Sequence, residues 1–103
     1  MKFASFTDDA NRELVLAAAG YEERKQNLAE SFLHPIKRTM GKITDWPARF
    51  PRVPFPSTDL VIRRALVEKF PYAVVYVEFS DEVRVFAVAH CKRKPFYWAS
   101  RIN

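Results

Sequence analysis

Residues 72–79, Tyr-Ala-Val-Val-Tyr-Val-Glu-Phe, constrain this chain more than any other segment. β-Branched and aromatic residues of this density favour a strand. Side chains alternate between the two faces of a strand, which puts Tyr72, Val74 and Tyr76 on one side and Ala73, Val75, Val77 and Phe79 on the other. Both faces are therefore apolar. An antiparallel sheet covered by helices on one side should be polar on the other. The fold must supply a second cover, or leave a patch for a partner.

The flanking segments indicate the rest of the sheet. Residues 60–67 are β-prone and carry Arg63-Arg64. Ser80-Asp81-Glu82 reads as a turn, and residues 83–90, Val-Arg-Val-Phe-Ala-Val-Ala-His, form another strand-like run. Short connections between successive strands predict antiparallel pairing. A shorter strand is expected at residues 2–6.

Between these strands the hydrophobic period is helical. Thr7 followed by Asp8 and Asp9 has the chemistry of a helix start: a hydroxyl to accept a free N–H, and carboxylates at the positive end of the dipole. Ala10, Leu14, Ala17, Ala18 and Tyr21 form an apolar stripe that predicts a first helix ending near Arg24, with Gly20 permitting close approach of another helix. Asn27 is expected to cap a second helix, whose stripe is Leu28, Phe32, Ile36, Met40 and Ile43. Pro35 should kink it, at a cost of about 3 kcal/mol unless packing compensates. Trp46-Pro47 ends this helical hairpin, and four of the seven prolines fall within residues 47–56, which predicts an extended loop. The expected architecture is one α+β domain over residues 1–103, with an N-terminal strand and an antiparallel helical hairpin on one face of a small antiparallel sheet. The second sheet face is expected to serve a partner through Val75, Val77, Phe79 and Trp98, the alternative being cover by the proline loop and the tail.

Composition narrows the setting. Hydrophobic residues make up 49% of the chain, enough for a packed core. No apolar run approaches the roughly 18 residues of a membrane span. The N-terminus meets Asp8 and Asp9 too early for a signal-peptide core, so a cytoplasmic protein is expected. Cys91 is the single cysteine, which excludes an internal disulfide and a Cys-rich zinc site; no metal and no cofactor is expected. The net charge of +5 is uneven: residues 1–51 carry +1 and residues 52–103 carry +4. The last stretch, residues 90–103, holds Lys92, Arg93, Lys94 and Arg101 and no acid. Such an end attracts a polyanion, either nucleic acid or an acidic protein segment.

Several of these side chains carry possible chemistry. Cleaving RNA needs a base, an acid and cations around the phosphate. His90 and Tyr97 could move protons, while Arg63, Arg64, Lys92 and Arg93 could stabilise charge. Each has a plainer role open to it. A histidine at a strand end often only orders the backbone, and Tyr97 and Trp98 could anchor the tail to the core. Cys91 beside Lys92 lacks a second activating partner and reads as an ordinary small residue. Arg63 and Arg64 alternate faces, with Glu78 as a candidate partner for one of them.

The succession Arg63-Arg64-Ala65-Leu66, Phe70-Pro71-Tyr72, Val75-Tyr76 and Val83-Arg84-Val85-Phe86-Ala87-Val88-Ala89-His90 resembles the C-terminal half of RelE/ParE toxins. So does the continuation Cys91-Lys92-Arg93-Lys94-Pro95-Phe96-Tyr97-Trp98, basic residues followed by a Pro-x-x-Trp stretch. The N-terminal half is similar through Phe6, Tyr21-Glu22-Glu23, Ala29-Glu30-Ser31-Phe32-Leu33 and Pro47-Ala48-Arg49-Phe50-Pro51. The resemblance covers nearly the whole chain. It implies the toxin of a type II toxin–antitoxin module, of the kind linked to plasmid stabilisation and growth inhibition. It further implies a hetero-oligomer with an acidic antitoxin segment, and either DNA gyrase or the ribosome with its mRNA as target. RNA-cutting relatives carry a phosphate-holding arginine early in the strand matching residues 72–79, where this chain has Ala73, and some end in a His-Tyr pair, whereas His90 here is followed by Cys91. Those departures favour the ParE-like, gyrase-binding branch over the ribonuclease, and a non-toxic partner-binding relative is the remaining alternative. The residues expected to meet target or antitoxin are Arg63, Lys92, Arg93, Lys94, Val75, Val77, Phe79 and Trp98. For a ribonuclease, the catalytic set would be His90, Tyr97, Arg93 and Arg64.

Overall fold

The structure, a computed structural model, describes residues 2–102. Strand β1 (Phe3–Phe6) leads into helix α1 (Asp8–Arg24) and helix α2 (Leu28–Asp45), followed by β2 (Ile62–Leu66), β3 (Tyr72–Glu78) and β4 (Glu82–His90). Single 3-10 turns lie at Pro47–Arg49 and Ala99–Arg101. Among the described residues, no helix is long and apolar enough to cross a membrane.

The helix starts follow the local chemistry in one case and depart from it in the other. Thr7 caps α1 as expected, its hydroxyl accepting the Ala10 N–H at 3.2 Å. Asn27 occupies the corresponding position of α2, but its φ of 71° is left-handed and its side chain caps nothing. The capping group is instead the Glu22 carboxylate of α1, which accepts the N–H groups of Asn27 (3.0 Å) and Ala29 (3.1 Å). Asparagine tolerates the left-handed conformation better than most residues, so it serves as the corner. Helix α2 continues through Pro35, which is buried in its interior. Packing of the ring offsets the hydrogen bond that proline cannot donate. Gly20 is not used for close helix approach: a Cβ there would meet nothing within 4 Å. Gly20→Ala should therefore raise stability by about 1 kcal/mol, or about 4–8 °C in a thermal scan of a chain this size.

The sheet order is β1-β4-β3-β2. Strands β2, β3 and β4 form the expected antiparallel meander, but β1 pairs parallel to β4, making the sheet mixed rather than wholly antiparallel. No tight turn sets the partner of β1; the helical hairpin and two strands intervene before β4 arrives beside it. Ser5 and Arg84 both bond the Glu82 carboxylate at this seam, which holds its pKa below the usual range. Within the β3–β4 pair, Val75 opposes Ala87 and Tyr76 opposes Val85, so Phe86 is the extra residue of a bulge. The bulge shifts the alternation of β4: Val83, Val85 and then Val88 face the helices, while Phe86, Ala87 and Ala89 face the other way.

Each sheet face has its own core. On the helix side, Ala10, Phe32, Ile36 and Ile43 pack against Val74, Tyr76, Val83 and Val85. On the other side, Ile62, Val75, Val77 and Phe86 lie beneath Trp98 and Ile102, with Val53 and Phe55 of the proline loop at the margin. Val75 and Val77 are each only 1% exposed and Trp98 5%. The expectation that these three residues form an open partner patch is thus corrected. The loop and tail of the chain itself provide the second cover, because the tail turns back and lays two large side chains on the sheet. Phe79 is half-buried and packs against the same cluster.

Candidate functional site

The alternation of β2 separates its two arginines. Arg64 stands opposite Val75 on the tail side of the sheet, while Arg63 stands opposite Tyr76 on the helix side. Arg63 donates to the Phe50 carbonyl at 2.7 Å and so holds the proline loop. Glu78 does not pair with either; Lys2 takes it, at 2.9 Å. Strand β4 closes at His90, after which Cys91 N–H bonds the Pro71 carbonyl (2.7 Å) and Arg93 N–H bonds the His90 carbonyl (3.0 Å). A left-handed residue, Phe96 with φ of 62°, then turns the tail back across the sheet.

That turn encloses a cavity of about 280 Å³. Its floor is Val75, Ala89 and Trp98; Arg64, His90, Arg93 and Lys94 stand around it, and no acidic side chain lines it. His90, Tyr97, Arg93 and Arg64 all line this one cavity, so the structure brings the four sequence-nominated groups together. Lys92 is exposed on the adjoining turn, and Arg63 lies on the opposite face of the sheet.

Their bonding limits what they can do. Tyr97 donates its hydroxyl to Glu13 at 2.7 Å. Burial first, and that bond second, raise its pKa well above the usual tyrosine value. The Arg93 guanidinium stacks on the Tyr97 ring, 3.8 Å from its centroid. His90 accepts the Lys92 N–H on Nδ1 at 3.0 Å and sets its ring edge-on against Tyr72. The Arg64 guanidinium lies 3.9 Å from Cys91 Sγ. Ala73 is fully buried, opposite Leu66 and Ala89, so at this position the strand presents only a methyl group.

Sequence reasoning missed Glu13. Its carboxylate accepts Tyr97 Oη, the Val88 N–H (3.0 Å) and two bonds from Arg101 (2.9 and 3.1 Å). Arg101 in turn donates to the Phe86 carbonyl at 3.1 Å. Strand β1 ends opposite Val85, so further along β4 this Glu13–Arg101 pair satisfies backbone groups that no neighbouring strand reaches. One clue was present: Glu13 is an acid set within the stripe of Ala10, Leu14 and Ala17.

The buried phenols add a pH dependence. Tyr76 is fully buried and donates to the Pro47 carbonyl; burial pushes its pKa up to about 12. Below pH about 10 both folded and unfolded chains keep this hydroxyl protonated, and its contribution is complete. Above that the unfolded chain ionises and the folded one resists, so stability falls as pH rises towards about 12. Thermal midpoints measured from pH 8 to 12 should drop beyond pH 10. Tyr76→Phe should flatten the drop, while costing about 1 kcal/mol at neutral pH for the lost bond.

No family model and no curated protein matches the sequence. Among solved structures, a chain of the one described as "Chromosomal ParDE TA system from P. aeruginosa" is similar with a TM-score of 0.73, covering 89% of this chain and 98% of that chain at 13% identity. A likeness at such low identity is one of fold. Strand, helical hairpin and three-stranded meander, closed by a returning tail, give this chain the RelE/ParE fold.

Proposed function

We propose that the protein is the toxin of a two-protein toxin–antitoxin module and that it acts by binding DNA gyrase rather than by cutting RNA. The RelE/ParE fold and its similarity to a chain of a ParDE system support the toxin part of this reading. The observation that carries the mechanism is the commitment of Tyr97 to Glu13. It ties up the phenol that could otherwise move a proton, whereas in-line cleavage by a 2′-hydroxyl needs both a base and an acid. The buried Ala73 removes a cation from the place where phosphate charge would be held. What remains is an acid-free basic rim of Arg64, Arg93 and Lys94, with Lys92 beside it, suited to a negatively charged macromolecular surface. An acidic antitoxin segment would neutralise the same charge and form the hetero-complex.

The ribonuclease reading keeps one observation in its favour: His90, Arg64 and Arg93 do meet at a single cavity. Brief expression in a bacterial host, with DNA cleavage, supercoiling and mRNA integrity followed together, separates the two. Growth arrest with cleaved DNA and intact mRNA is the expected result. Rapid mRNA cutting that disappears in His90→Ala would overturn it in favour of the ribonuclease. Normal growth with neither lesion would identify a partner-binding relative without toxicity.

A further inference from the structure

A second positively charged surface lies on the helix side of the sheet, away from the tail cavity. Arg38 and Lys42 stand on successive turns of α2, about 6 Å apart along its axis, and Trp46 closes the helix one turn later. Arg49, in the 3-10 turn that follows, sets its guanidinium 5.6 Å from the centre of the Trp46 ring. Arg63 of β2 completes the strip, bonding the Phe50 carbonyl next to Arg49. We infer that this strip binds one strand of nucleic acid, with its cations on the phosphates and Trp46 against a base. The inference rests on the gyrase reading only in taking that strand to be DNA.

Trp46 is the residue that the interior of the chain does not explain. Its backbone N–H bonds the Lys42 carbonyl at 3.0 Å, a contact that any residue except proline supplies. Its indole is 60% exposed and belongs to neither core cluster. A guanidinium beside an exposed indole widens the flat surface that the ring presents. Bases stack on such a surface whatever their sequence, because every base has a π face.

The cations around the indole are loosely held. Arg38 and Lys42 share the Glu68 carboxylate at 3.9 and 3.6 Å, and all three side chains are half exposed or more. Ion pairs this open contribute little, so exchanging them for phosphate contacts costs little. Arg49 forms no ion pair among the described residues. Asp45 and Glu68 are the acids of the strip, against Arg38, Lys42, Arg49 and Arg63. This narrow line of charge suits a single strand better than a duplex, which carries a charge about every 1.7 Å along its axis. An acidic peptide would meet the cations but leave the indole and its guanidinium without a flat partner.

The test uses the full chain and a fluorescein-labelled oligodeoxythymidine of about eight nucleotides, with binding followed by anisotropy at low salt. Trp46→Ala should weaken binding about tenfold, the loss of one stacked base, whereas Trp46→Phe should retain most of it. Arg49→Gln should weaken binding and reduce the slope of log K against log salt by about 0.7, one phosphate contact. Glu68→Gln should tighten binding about threefold, a gain that a merely structural role for these side chains does not produce. All four variants change exposed side chains and should melt within about 4 °C of the parent chain. Absence of binding, or binding that survives Trp46→Ala, would overturn the proposal. So would binding that is lost only when Lys92 and Lys94 of the tail become Gln. Tighter binding of a duplex, of an oligouridylate or of a polyglutamate peptide of equal charge would overturn it as well. Growth arrest on expression is scored separately: a chain that binds the strand without arresting growth supports the strip and sinks the toxin reading, and arrest by a chain that does not bind the strand does the reverse.

Discussion

Glu13→Ala is expected to lower stability by about 2–3 kcal/mol and to loosen the C-terminal tail from the sheet. The carboxylate serves four bonds at once, to Tyr97, Val88 and twice to Arg101. Its removal leaves the Arg101 guanidinium, whose side chain is only 18% exposed, with Asp9 at 3.7 Å as its remaining ion pair, and leaves a backbone N–H and a phenol without acceptors. The site retains some contact with solvent, which keeps the cost below the roughly 3–5 kcal/mol typical of breaking a fully buried pair. The loss falls on the tail in particular, because Tyr97 and Arg101 both belong to it. Trp98 and Ile102 would then lift more readily from Val75 and Val77. Urea unfolding measures the global cost, and trypsin cleavage at Lys92 and Arg93 measures the local one. Cleavage rates equal to those of the parent chain would show that Glu13 does not hold the tail. A double-mutant cycle with Arg101→Ala should return a coupling above 1 kcal/mol.

Phe32→Ala is expected to cost more, about 3–5 kcal/mol. Phe32 is fully buried on α2, and its ring lies 5.0 Å from Tyr21, 5.3 Å from Phe70 and 5.2 Å from Tyr72. One side chain thus joins both helices to the start of β3, and truncating it opens a cavity among rings that are themselves held by one another. A domain of this size has about 5–15 kcal/mol in total, so the variant should melt far below the parent in calorimetry. Phe3→Ala provides the contrast. That side chain is 85% exposed, and its loss should fall within about 0.5 kcal/mol. Similar melting points for the two variants would contradict the position of the core.

Features set by neighbours in the chain are legible in its linear order, and those set by distant contacts are not. The Thr7 cap, the two amphipathic stripes and the three C-terminal strands depend on neighbours within a few residues, and each lies where local chemistry puts it. The α2 corner failed at Asn27 because its capping acid, Glu22, comes from the preceding helix. The Glu13–Arg101 pair spans 88 residues and depends on where β1 happens to end, which no periodicity records.

The candidate site divides the same way. Its residue types were evident from the acid-free tail, and their meeting at one cavity follows from the tail turning back at Phe96. Their freedom to act was not evident: Tyr97 is bound by Glu13, Arg93 lies on a ring, and Arg63 faces away.

The double-sided apolar strand of residues 72–79 was by itself enough to require two covers, because alternation assigns every side chain to a face. Which group supplies the second cover was decided only in three dimensions. A tail and an external partner satisfy the same hydrophobic demand. The choice between them rests on long-range contacts, those of Trp98 and Ile102 with the sheet and of Tyr97 and Arg101 with Glu13.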